Sequence, residues 1–197
     1  LGELLWQSRR MVVAFVIGHV GATLIVAAGL AGALAAGLLS TSVIDAADVG
    51  MSYGAVGVLG SFTAAVSPRW RGAWAGWWLA VAAASTALGG LDFTHAGHGV
   101  ALVLGMAAGS RFAHPAHWTA LRGALLVVAA GFGYLLIAYQ DIFAPQTAIA
   151  GVLGGLAGWA VSALSTAQTN SSAEASIQSD SHASGGLSSN SPGISHS

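Results

Sequence analysis

The chain has no cysteine and no lysine, only four prolines in 197 residues, and charged residues make up 7% of it. Without thiols there are no disulfides, no zinc–thiolate sites and no cysteine nucleophile. So little charge excludes an ordinary soluble domain, in which about a quarter of the residues are charged. A net charge of −1 excludes the basic footprint of a nucleic-acid-binding protein. What fills the sequence instead is hydrophobic residues, 55%, and 28 glycines, with a mean hydropathy of +0.72. That is the composition of an integral membrane protein. No charged segment followed by a short apolar core and a small-residue cleavage site is recognisable near Leu1, so a signal peptide is not expected among these residues.

A spanning helix needs about 20 mostly apolar residues. Uncharged runs occur at 11–39, 50–66, 73–91 and 94–110, and a further stretch over 119–164 is broken by Gln140, Asp141 and Pro145 into 119–139 and 146–164. The expectation is an all-α, polytopic membrane bundle of about six transmembrane helices, occupying residues 1–165. At 1.5 Å per residue the first run would be about 43 Å long, against a hydrocarbon core of roughly 30 Å. It must tilt, or its Ala/Gly-rich end must leave the membrane. From Thr166 onward the composition turns to Ser, Asn, Gly and Ala with no apolar period. Such a segment buries too little surface to offset its ordering entropy, so residues 166–197 are expected to form a disordered polar tail.

The charges set a topology. Arg9 and Arg10 precede the first run, Arg69 and Arg71 follow the second, and Arg111 and Arg122 lie between the fourth and fifth, while Asp45, Asp48, Asp92 and Asp141 occupy the alternate loops. With the first span running outward, every arginine lands in the cytoplasm, as the positive-inside rule requires. The arginine loops and the tail are expected there, and the membrane is expected to be a bacterial plasma membrane.

Two polar side chains share a depth. Ser52, in "DVGMSYG", lies about two residues inside the second span and His98 about four residues inside the fourth, both counted from the outer end, a few ångströms apart. His95, one turn above His98 on roughly the same face, competes with it. His19, about eight residues from the inner end of the first span, is expected many ångströms deeper than Ser52. His114 and His117 flank Pro115 in an inner loop and read as interfacial.

Ala101, Gly105 and Gly109 follow His98 on one helix face and would admit a close neighbour. Gly50, Gly54, Gly57 and Ser61 form a second small stripe, nearly opposite Ser52, expected to pack that span from behind. A hydroxyl becomes a nucleophile when a base within hydrogen-bonding distance takes its proton. Backbone N–H groups around Gly50 and Met51, at a helix start, suit a developing oxyanion. The plainer alternative is that Ser52 is packing glue and His98 an ordinary boundary histidine, and spacing alone leaves both readings open. No pattern implies a metal or cofactor. Trp70, Trp74, Trp77, Trp78 and Trp118 read as an aromatic belt at the inner boundary, and Thr23 as bonding its own helix's carbonyls.

Three segments, in order, resemble the rhomboid family of intramembrane serine proteases. "ELLWQSRR" (3–10) before an apolar span is similar to the signature opening the family's third helix. "GMSYG" (50–54) resembles the Gly-x-Ser-Gly that opens its fourth, with Ser52 at the nucleophile. "HAGHGVALVLGMAAG" (95–109) is similar to its sixth, with His98, Gly105 and Gly109 in the pattern. The resemblance covers about residues 3–112, leaves two extra spans behind, and places the family's first two helices upstream of Leu1.

What the resemblance implies is a Ser52–His98 dyad that cleaves transmembrane segments. Membrane proteins and the bilayer are then its partners, with no cofactor and no nucleic acid. Two positions depart from the pattern. Tyr53 stands where the family has glycine, and Val56 where it has a tyrosine that packs on the histidine. In one reading Tyr53 replaces that tyrosine. In the other the site is degraded, and the protein is an inactive rhomboid-like one that binds the transmembrane helices of client proteins.

Overall fold

The computed structural model describes residues 1–39, 51–89, 93–112, 118–138 and 144–185, and among these every regular element is helical. Helix α1 (Gly2–Val16) continues through a π turn (Ile17–Gly21) into α2 (Ala22–Ala35). Then come α3 (Ser52–Ser61) with a 3-10 turn (Phe62–Ala64), α4 (Pro68–Leu88), α5 (Phe93–Ser110), α6 (Ala120–Ala138) and α7 (Ala144–Gly185). With α1 and α2 as one rod, the described residues form six helices, the all-α bundle expected.

Three stretches are long and apolar enough to cross a membrane alone: Ser8–Ala35, Ala120–Ala138 and Pro145–Thr169. Helix α3, with 10 residues, is about 15 Å long and cannot. It lies in the middle of the bundle instead, with Tyr53, Gly54, Val56, Gly57, Leu59, Gly60 and Ser61 all buried.

Glycine holds α3 there. A Cβ on Gly57 would stand 2.7 Å from the Gly18 Cα, one on Gly60 3.0 Å from the Met106 nitrogen, and one on Gly109 2.8 Å from the Ser61 Cα. The backbones touch, leaving no room for side chains between them. The pairs Gly57–Gly105 and Ser61–Gly109 ascend together, so α3 and α5 are parallel. Gly57 against Ala14, and Gly18 against Tyr53, make α1 antiparallel to α3. On the other flank Gly72 and Gly76 of α4 meet Gly154 and Gly158 of α7, with a Gly76 Cβ position 3.3 Å from the Gly158 Cα. These are two small-xxx-small pairs in antiparallel contact.

Two local details finish the long first helix. Just past its π turn the Thr23 hydroxyl donates to the His19 carbonyl at 2.7 Å, the bond expected from sequence. At its far end Gly37 takes φ +69°, while the N–H of Leu38 donates to the Ala33 carbonyl and that of Gly37 to the Leu34 carbonyl. This is a Schellman cap, which needs the left-handed backbone that glycine supplies.

All six arginines gather at one end. Arg10 Nη1 donates to the Phe112 carbonyl (3.3 Å), Arg71 Nη2 to that of Ala64 (3.2 Å) and Trp118 Nε1 to that of Ala65 (3.1 Å). These bonds join the starts of α1, α4 and α6 to the ends of α3 and α5. The four loop aspartates lie outside the described residues.

Residues 166–185, expected as disordered tail, continue α7 as helix. The hydroxyls of Thr166, Thr169, Ser171 and Ser172 each donate to the carbonyl four residues back, so these side chains bond within the helix instead of competing with it. Residues 186–197 lie outside the described residues.

Candidate functional site

Ser52 is the first residue of α3 and is half-buried. Met51 caps it from outside with no side-chain hydrogen bond to the helix, and its own side chain is exposed. The first N–H groups of a helix have no intrahelical acceptor. Gly50 lies outside the described residues, as do His114 and His117.

The Tyr53 side chain lies directly against His98. The two rings meet edge to face, with centroids 5.1 Å apart and planes at 82°, and the phenol ring also covers Gly97. Tyr53 is 3% exposed and His98 5%. The two candidate histidines separate by neighbour. His98 faces α3, whereas the His95 ring approaches to 3.1 Å of where a Cβ of Gly89 would stand, at the end of α4.

The small stripe on α3 does more than back the helix. Gly54 is covered by Phe15 of α1, as expected of a rear face, but Gly57 and Ser61 meet Gly105 and Gly109 of α5. The stripe is thus also part of the α5 contact. At 100° per residue, Tyr53 is the first-turn side chain directed into this contact, while Ser52 stands about 140° round the helix from Gly57.

His19 requires a correction. A Cβ on Gly18 would lie 3.0 Å from the Tyr53 carbonyl, so His19 sits close to the depth of α3's first turn, not far below it. Counting residues from the ends of each apolar run failed because α3 starts alongside the middle of the long first helix. His19 stacks on Phe15 with centroids 6.0 Å apart, and its Nδ1 is buried with no hydrogen bond among the described residues. Phe15 lies on Gly54, so His19 belongs to the rear side of α3, away from Ser52.

Ser85 of α4 escaped the sequence reading altogether. It is fully buried, and its hydroxyl has no hydrogen-bond partner among the described residues. It stands between Ala82, which meets Gly99, and Gly89, which meets His95, so its face of α4 is turned to α5. The only sequence signal was its spacing of three and four residues from those two small neighbours.

A family model described as a rhomboid-like protein matches residues 3–115, more than half of the chain. No curated protein and no solved structure matches it.

Proposed function

The chain belongs to the rhomboid-like protein family, and from that premise we propose that it is an intramembrane serine endopeptidase that cleaves transmembrane segments with Ser52 and His98. The Ser52 Oγ attacks the scissile carbonyl carbon while its proton passes to His98. The tetrahedral oxyanion takes hydrogen bonds from backbone N–H groups at the start of α3, around Gly50, Met51 and Ser52. The C–N bond then breaks as His98 returns the proton to the leaving amine. Water, deprotonated by the same imidazole, hydrolyses the acyl–enzyme ester and restores Ser52.

One observation carries this reading: the Tyr53–His98 ring contact brings the first turn of α3, and Ser52 with it, to the depth of the imidazole. Tyr53 also supplies the ring on the histidine that Val56, buried in the core, does not. A fluorophosphonate probe reacts with activated serines. The full chain in detergent micelles is expected to be labelled, and labelling is expected to vanish in Ser52→Ala and fall at least tenfold in His98→Ala. Equal labelling of wild type and Ser52→Ala would overturn the proposal.

A second reading is favoured by the same ring. Tyr53, bulkier than the glycine of the family pattern, packs its ring on His98, as suits a noncatalytic protein that binds client transmembrane helices. It requires a client that co-purifies undiminished with the Ser52→Ala/His98→Ala double variant and is never cleaved by wild type.

A further inference from the structure

The five tryptophans that read as a boundary belt converge on one cavity. It has a volume of about 990 Å³ and opens between α4 and α6, lined by Trp70, Trp74, Trp77, Trp78 and Trp118 with Arg69. The α4 contribution follows helical spacing: Arg69, Trp70, Ala73, Trp74, Trp77 and Trp78 make a single face, at offsets of one, four, five, eight and nine residues. Across from it stand Leu126, Val127 and Tyr134 of α6. Trp70 and Trp118 keep the exposure of belt residues, whereas Trp78 is buried, and all five line one open space.

Three features of the space are chemical. Its wall is almost wholly apolar and aromatic. The indole N–H groups of two of its tryptophans, Trp74 and Trp78, are buried within the wall, not on its surface, with no acceptor among the described residues. At its mouth Arg69 lies over the ring of Trp70, 5.9 Å from the centroid, and meets no carboxylate among the described residues. Its neighbour Arg71 is committed to the carbonyls of Ala64 and Val66. Arg69 therefore presents a positive charge with no carboxylate against it among the described residues, at the end of the bundle where all six arginines gather.

We propose that this cavity is a binding site for an anionic phospholipid. The phosphate sits on Arg69, and an acyl chain runs down the wall over Trp74, Trp77 and Trp78. Basic pockets between transmembrane helices take anionic headgroups in this manner. The size decides against a client helix: a spanning helix about 30 Å long and at least 10 Å across occupies more than roughly 2,000 Å³, twice the cavity. The site is distinct from Ser52 and His98, and its occupation does not depend on proteolysis.

The test uses intrinsic fluorescence, because five of the seven tryptophans line the site. The full chain is reconstituted in phosphatidylcholine vesicles, and phosphatidylglycerol or phosphatidylcholine with brominated acyl chains is titrated in. Half-maximal quenching is expected at a mole fraction at least tenfold lower for the brominated phosphatidylglycerol. Arg69→Gln is expected to bring the two lipids within twofold, while Arg69→Lys keeps most of the preference. Trp78→Phe is expected to reduce the quenchable signal but retain the preference. Equal quenching by the two lipids in wild type would mean boundary lipid only and overturn the proposal. So would a preference that survives Arg69→Gln, or a bound phosphatidylglycerol displaced by a transmembrane peptide.

Discussion

Helix α3 meets α5 through glycine, and α4 meets α6 through tryptophan. At the first contact a Cβ on Gly105 would stand 2.9 Å from the Gly57 Cα, whereas Gly123 and Gly131 of α6 have nothing within 4 Å. Close backbone contact fixes the depth of one helix against the other to within a fraction of a turn, because no side chain can adjust. Polar groups at the end of such a contact, here Ser52, Tyr53 and His98, are held at a shared depth. The tryptophan face holds its helices apart, and what it gains is a cavity. A fold that needs one precise site and one adaptable groove obtains them from the two kinds of residue.

Four substitutions break or sharpen that contrast. The largest effect is expected from Gly57→Leu, which inserts a side chain where the backbone of the first helix, at Ala14 and Gly18, already lies. It is expected to cost about 3 kcal/mol or more and to shift the midpoint of denaturing-detergent unfolding, followed by circular dichroism, far toward low denaturant. Tyr53→Ala removes the ring between α3 and His98 and is expected to cost about 3 kcal/mol and abolish fluorophosphonate labelling together. Stability lost with labelling intact would show that the ring packs the helices without positioning the histidine.

Smaller effects are expected on the open side. Tyr134 and Thr147 share a hydrogen bond of 2.9 Å between α6 and α7, and Thr147→Val is expected to cost about 0.6 kcal/mol, the usual scale for such a bond in a membrane, by the same unfolding measurement. Gly123→Ala is expected to leave the midpoint unchanged or raise it by less than about 1 kcal/mol, through helix propensity alone. Were Gly123→Ala as damaging as Gly57→Leu, the division into a close-packed and an open region would be wrong.

Much of this was legible in the chain. Helix number followed from apolar runs broken by Gln140, Asp141 and Pro145. The common end of Arg9, Arg10, Arg69, Arg71, Arg111 and Arg122 followed from their alternation with the aspartates. The three motif segments identified the family, and the matched region, 3–115, nearly coincides with the 3–112 read from them. Thr23 bonded its own helix as its position foretold. The misjudged features were relational: the depth of His19, the double duty of Gly57 and Ser61, the buried hydroxyl of Ser85 and the convergence of five tryptophans. The GxxxG pairs of α4 and α7 were present as residues, but nothing local said that they would meet.

The sequence by itself determined that this is a helical membrane protein of the rhomboid-like family and which ends of its helices lie together, because apolar run length and charge alternation act on each segment separately. Only the tertiary structure decided that Tyr53 is the neighbour of His98, that His95 turns to α4, and that tryptophans spread over 49 positions, from 70 to 118, close on one space. Those outcomes depend on the relative height and rotation of whole helices. Gly18, Gly57, Gly60, Gly105 and Gly109 set them by bringing backbones into contact, and that contact exists only once the chain has folded.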